Sequence, residues 1–295
     1  MQAGRGARFV ECYGWEIAGD YGDPRREYDA VRGGAGALDA SYAGKLAVSG
    51  RDRAKYLHNM LSNDIKNLPA GKGCHATLLT HQGRMEADLY AYALADEIRL
   101  ECSPAATERV VATLNKYIIA DQVTLADQTT ALALLSLQGP GSREDMEKTV
   151  GVGLDGLAAL DHRLLERPGA PWLVARRDRT GCGGYDLWLP AAVATDVWRR
   201  WTDVMKIEPV GHRALDWLRT EAGIPWYGAD MDETTLPMEM GLDDAISMTK
   251  GCYRGQEIVA RVIHRGHLNR RLAGIALEGA EPPARGAEVR SGDAV

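Results

Sequence analysis

The chain has 295 residues, with 35 Lys and Arg against 41 Asp and Glu, a formal net charge of −6. Apolar residues make up 45% and charged residues 26%, the balance of a soluble globular chain, which excludes a protein that is disordered as a whole and leaves room for one large domain or two to three small ones. Mild acidity argues against nucleic acid as a direct partner, and no apolar run approaches the roughly 18 residues needed to span a bilayer, so no membrane partner is expected.

The N-terminus, MQAGRGARFVECYGWE, has no apolar h-region and carries no expected export signal. A strand is predicted over 45–49 (KLAVS). The clearest strand runs from Arg84 to Leu94: Met85, Ala87, Leu89, Ala91 and Ala93 share an apolar face, and Arg84, Glu86, Asp88, Tyr90 and Tyr92 share the other. Ser103-Pro104 caps a helix whose apolar stripe is Val110, Val111, Leu114, Tyr117 and Ile118. Strands follow at 123–125 and 132–137, and Ser142 with Asp145 has the spacing of a capping box for a short helix. After a strand at 185–189, Val193, Val197, Trp198, Trp201, Val204 and Met205 form a further helical stripe, and another helix runs from His212 to Ala222, stopped by Gly223 and Pro225. A helix is expected over Gln256–Ile263, a strand over 271–277 and a linker over 279–289. Helices and strands alternate without βαβ regularity, which predicts an α+β fold.

Several motifs carry little. Gly151-Val-Gly153-Leu-Asp-Gly156 fits G-x-G-x-x-G but follows a helix, where a dinucleotide loop follows a strand. His264 and His267 have metal-pair spacing without a third ligand, and the five cysteines at 12, 74, 102, 182 and 252 are odd in number and lack Cys-x-x-Cys spacing, so no metal site or disulfide framework is expected and a reducing cytoplasm is the expected location.

Three features could carry chemistry. Glu86 and Asp88 lie about 7 Å apart on one strand face, close enough to perturb each other and to meet a bound amine; an antiparallel strand with one wet face explains the same pattern. In Lys250-Gly-Cys252-Tyr-Arg254-Gly-Gln256-Glu257, Cys252 precedes a helix between two basic residues, a setting that favours a thiolate, although a small buried cysteine in a tight turn fits equally. The basic run Arg254, Arg261, His264, Arg265, His267, Arg270 and Arg271 could meet an anionic ligand tail or simply form a solvated helix face.

KGCYRGQE resembles the K-G-C-Y-x-G-Q-E signature of the YgfZ-type folate-binding proteins, the iron–sulfur-assembly branch of the glycine-cleavage T-protein (aminomethyltransferase) superfamily. Tyr21-Gly22, LDASYAGKLAVSGRDRAKYLHNMLSNDI (38–65), GRMEADLYAY, TGCGGYDLWLP (180–190) and LRTEAGIPWYGADMDETTLPMEMGL (218–242) are similar to successive T-protein blocks in order. The resemblance implies a clover-like α+β folate-binding body over residues 1–266, built of mixed sheets and helices around a channel that holds tetrahydrofolate or another reduced folate. Residues 267–295 would be the start of a truncated C-terminal β-barrel, its residues after about 270 packing poorly or joining the body as an edge.

Residue by residue, the resemblance places Asp88 where aminomethyltransferases have the acid facing folate N5 and N10, and Asp186 on the carboxylate that holds the pterin. It puts Arg219 and Glu221 in the L-R-x-E-x-G block and Tyr227 in Y-G. Cofactor binding is thus expected of Asp186, Tyr90, Arg219, Glu221, Tyr227, Lys250, Arg254, Gln256 and Glu257, and chemistry of Cys252 and Asp88. One departure is Leu215, which stands where T-proteins carry a folate-binding Arg. The leading expectation is a tetrahydrofolate-binding protein that supports iron–sulfur cluster assembly or repair through Cys252, with iron–sulfur assembly proteins or client enzymes as partners. The alternative is a folate-dependent aminomethyltransferase or methyltransferase.

Overall fold

A computed structural model describes residues 6–278, 284 and 286–288, apart from the side chains of His264 and Arg265. In chain order the elements are β1 (Arg8–Cys12), β2 (Trp15–Asp20), α1 (Pro24–Gly33), β3 (Gly36–Asp39), β4 (Gly44–Ser49), α2 (Arg53–Met60), β5 (Gly73–Leu79), β6 (Met85–Ala93) and β7 (Glu97–Cys102). Then come α3 (Thr107–Tyr117), β8 (Thr124–Asp127), β9 (Leu132–Gln138), α4 (Ser142–Val150), β10 (His162–Leu165), β11 (Trp172–Arg176), β12 (Gly184–Pro190), α5 (Ala191–Arg199), β13 (Glu208–Val210), α6 (His212–Glu221) and α7 (Gln256–Arg265).

The α+β expectation holds. One sheet has the order β5-β6-β7-β4-β8, a second the order β10-β11-β12-β9-β3-β13, and β1 and β2 form a separate hairpin. All pairings are antiparallel except β13 with β3. Each large sheet has its own core, one containing Leu46, Leu57, Leu78, Leu89 and Leu114 and the other Leu135, Leu187, Trp198 and Trp201. A third cluster joins them: Tyr92 of β6 meets Trp188 of β12 edge-on at 5.8 Å, beside Leu134 and Leu173.

Four local expectations are corrected. The polar face of β6 is not wet, since Glu86 and Asp88 are both buried under elements from elsewhere in the chain. Ser142 does not cap α4; Gly141 occupies that position without a side-chain bond, so no capping box forms. Val204 leaves the apolar stripe because α5 continues into a π-helical turn, Arg200–Val204, whose wider winding rotates it outward to 75% exposure. The strand expected over 271–277 is absent: Leu272 N donates to Glu239 O at 2.7 Å, while Leu272, Ile275 and Leu277 remain exposed.

Gly151 closes α4 in the left-handed region, so the G-x-G-x-x-G stretch is a helix exit. Much of the expected linker, 279–283, 285 and 289, and the last residues, 290–295, lie outside the described residues. Among the described residues no helix is long and apolar enough to cross a membrane.

Candidate functional site

A recess opens where β6 and β7 of one sheet face the loop between β11 and β12 of the other, with α6 closing a side. Its atom-free space is about 620 Å³, including the part open to solvent. Asp88 and Tyr90 project from β6, Glu101 from β7, Arg177 and Arg179 from the loop after β11, and Leu215 and Arg219 from α6, with Tyr42 and Trp226 completing the wall.

Strand alternation explains the first three. Asp88 and Tyr90 are two apart on β6, and Tyr90 pairs in register with Glu101. The opposite wall is ionic. Arg179 Nε donates to Asp186 Oδ1 at 3.0 Å, and its Nη2 donates to Asp186 Oδ2 at 2.6 Å and to Glu101 Oε1 at 2.7 Å. Burial opposes the charge on this guanidinium, but the two carboxylates outweigh it and push its pKa up, so Arg179 stays cationic. Glu101 Oε2 is buried and lacks a hydrogen-bond partner among the described residues. The Arg177 guanidinium lies 3.5 Å from the centre of the Tyr90 ring, and burial pushes the Tyr90 hydroxyl up to about 12, so it remains a neutral phenol.

Of the residues expected to bind or react, Asp88, Tyr90 and Arg219 line the recess. Arg219 is fixed there by Asp216 and by Asp230 at 2.6 Å, and its guanidinium lies 5.7 Å from the Trp226 ring. Asp186, fully buried, sits behind Arg179 and does not line the recess. Tyr227 turns its ring away, its hydroxyl accepting from Arg109 at 2.8 Å, though its carbonyl accepts from Ser103 Oγ of the recess wall at 2.8 Å. Glu221 is on the outer side of α6, accepting from Tyr28 at 2.5 Å.

The KGCYRGQE segment forms a turn packed on the β5–β6 hairpin, away from the recess lining. Gly255 requires its hydrogen: its φ is +85°, and a Cβ there would stand 2.4 Å from Thr80 O. That approach brings Arg254 onto Glu86 with two hydrogen bonds of 2.9 Å each, and Thr113 donates to the same carboxylate at 2.9 Å. Lys250 Nζ donates to the carbonyls of His58, Leu61 and Asn63 at 2.5, 2.6 and 2.8 Å, and burial lowers its pKa to about 8. Gln256 accepts from Tyr253 N at 3.0 Å and Glu257 is exposed. Cys252 is exposed in this turn, and both basic residues expected to tune it are committed to other partners.

Residues that sequence reasoning did not single out are Arg179, Glu101, Arg177 and Trp226. One signal was available: EIRLEC (97–102) alternates Glu97, Arg99 and Glu101 on one strand face, which marks a polar surface on a strand that is buried.

A mixed α+β body with two largely antiparallel sheets and a charged, ring-lined recess between them defines the class. Residues 1–250 match the GCVT N-terminal domain family, and the chain belongs to that family. An aminomethyltransferase of Rubrobacter xylanophilus is 33% identical, the alignment covering 93% of this chain and 73% of the relative. One of Anoxybacillus flavithermus is 32% identical over 94% of this chain and 77% of the relative. The crystal structure of glycine cleavage system aminomethyltransferase T from Bartonella henselae superposes with a TM-score of 0.83 at 24% identity, covering 90% of this chain and 73% of that one, a likeness of fold. The T-protein superfamily suggested by the sequence blocks is thereby shown, whereas the YgfZ assignment rests on KGCYRGQE alone.

Proposed function

We propose that the protein is a folate-dependent aminomethyltransferase that transfers a one-carbon unit to tetrahydrofolate. The observation that carries this reading is the pairing, in one recess, of an acid that lines it, Asp88, and a buried carboxylate oxygen without a partner among the described residues, Glu101 Oε2. The residues fit a reduced folate. Glu101 can accept N–H bonds from the edge of a pterin, and Tyr90 and Trp226 offer ring faces to a flat heterocycle. Arg219 offers positive charge beside them.

When bound, tetrahydrofolate supplies the nitrogen that accepts the one-carbon unit. Asp88 orients it and stabilises positive charge on an amine donor brought against it; this is charge stabilisation at a fixed, water-poor position. Arg179 holds Glu101 in place, and Asp186 holds Arg179, so Asp186 acts on the ring pocket through a guanidinium. Leu215 leaves this wall apolar where T-proteins carry an Arg, so ring recognition here depends on Glu101. Calorimetric titration of tetrahydrofolate into anaerobic protein tests the reading: saturable binding that weakens in Glu101→Gln supports it, and absence of binding contradicts it.

A second reading, support of iron–sulfur assembly through a reactive thiol, is favoured by the exposure of Cys252 in KGCYRGQE. A Cys252→Ala variant that fully supports an iron–sulfur-dependent enzyme contradicts it.

A further inference from the structure

His75 is a buried titratable residue that touches the site without lining it. It stands on β5 opposite Tyr90 of β6, and the two rings stack with centroids 4.5 Å apart and planes 6° from parallel. Its side chain is only 6% exposed, yet it lies between two carboxylates. Nδ1 is 3.3 Å from Asp244 Oδ2, and Nε2 is 3.7 Å from Asp88 Oδ2. Asp244 reaches this point from the turn Asp243–Ala245 and is itself 73% exposed.

The tautomer follows from hydrogen-bond chemistry. An ionised carboxylate only accepts, so the contact with Asp244 requires a proton on Nδ1. A neutral ring then turns the Nε2 lone pair toward the Asp88 carboxylate, and lone pair and anion repel. Nε2 is buried and has no hydrogen-bond partner among the described residues. A second proton, on Nε2, turns that repulsion into a charge-assisted hydrogen bond once the pair closes by about half an ångström.

We propose that His75, as an imidazolium anchored by Asp244, is the positioning residue that orients the Asp88 carboxylate toward the recess. Its consequence for turnover rests on the transferase reading; the pairing itself stands on geometry. Burial works against the charged ring, but the two carboxylates facing it, Asp244 and Asp88, outweigh it and raise its pKa above the ordinary value. The titratable and charged groups facing it are Asp88 and Tyr90 from β6 and Asp244 from its turn, with Arg177 over the Tyr90 ring.

The ring's titration is read directly by NMR of histidine-labelled protein without ligand, its signal assigned by loss in His75→Gln. The midpoint is expected above 6.5, falling by about one pH unit or more in both Asp244→Asn and Asp88→Asn as each removes a carboxylate. In turnover, Asp244→Asn, altered at an exposed position that should not impair folding, is expected to move the alkaline limb of the kcat profile down in pH with little change in KM for tetrahydrofolate. His75→Gln is expected to lower kcat about 10- to 100-fold and abolish that limb. A wild-type midpoint at or below 6.5, or one that Asp88→Asn leaves unmoved, overturns the proposal even in an active enzyme. A raised, Asp88-dependent midpoint in a protein that binds no tetrahydrofolate upholds the pairing and overturns the transferase reading instead.

Discussion

Arg179 closes on Asp186 in a two-bond fork, 3.0 and 2.6 Å, with Asp186 fully buried. A carboxylate that resemblance assigns to a ligand is therefore engaged by a guanidinium of its own chain, which passes its grip on to Glu101. Asp186→Leu leaves Arg179 buried with half its partners gone. It is expected to cost about 3–5 kcal/mol of stability, read from urea unfolding midpoints, and to weaken tetrahydrofolate binding through disorder of Glu101. An unchanged midpoint would contradict the role of the pair.

Glu101→Gln keeps the shape of the side chain but removes its charge. Loss of a charge-assisted bond is worth about 1.5–3 kcal/mol, so Kd for tetrahydrofolate is expected to rise roughly 10- to 100-fold by calorimetry.

How far the site was legible in the chain depends on how local its signals are. β6 was readable because alternation over Arg84–Leu94 is strong, and Asp88 and Tyr90 came with it. That its polar face is buried was not readable: the cover on Glu86 comes from Arg254, 168 positions away, and from Thr113, 27 away. The helices α3, α5, α6 and α7 announce themselves by period and by Ser, Pro or Gly at their ends, whereas β3 and β13, of four and three residues, are too short to show one. Glu101 and Arg179 meet across 78 residues, so neither alone marks a site. The KGCYRGQE turn stands out as a pattern because Gly255 and the half-buried, carbonyl-bound Lys250 are structural needs there, and that same pattern drew Lys250, Arg254 and Gln256 into the expected binding set.

Histidine burial sets the acid side of stability. His162 is buried, and burial lowers its pKa despite help from the Ala93 and Leu160 carbonyls. The unfolded chain then binds protons more readily than the folded one just below pH 6.5, so this residue's stability is present above that value and lost as pH falls. His75, with a raised pKa, has the opposite sign: its contribution is full below about pH 6.5 and is lost as pH rises through the folded value. His162→Gln is expected to lose less stability than wild type between pH 7.5 and 5.5, and His75→Gln more, measured by urea unfolding at both pH values. Parallel curves for all three would contradict the assignment.

The cysteines divide by access. Burial pushes the thiols of Cys74 and Cys102 up to about 12, while Cys252 is exposed. Brief treatment with iodoacetamide followed by peptide mass spectrometry is expected to find Cys252 alkylated before either of them, and Cys252→Ser is expected to leave one-carbon transfer within about twofold of wild type, a change of less than 0.5 kcal/mol in barrier.

The recess around Asp88 is proposed to transfer a one-carbon unit to tetrahydrofolate. Anaerobic assay of methylene-tetrahydrofolate formation from an aminomethyl donor, in wild type and Asp88→Asn side by side, tests it most directly. Turnover in wild type is expected to fall about 100-fold or more in Asp88→Asn while tetrahydrofolate still binds. Folate-dependent turnover undiminished in Asp88→Asn, or wild-type protein that binds tetrahydrofolate without turning over, would contradict it.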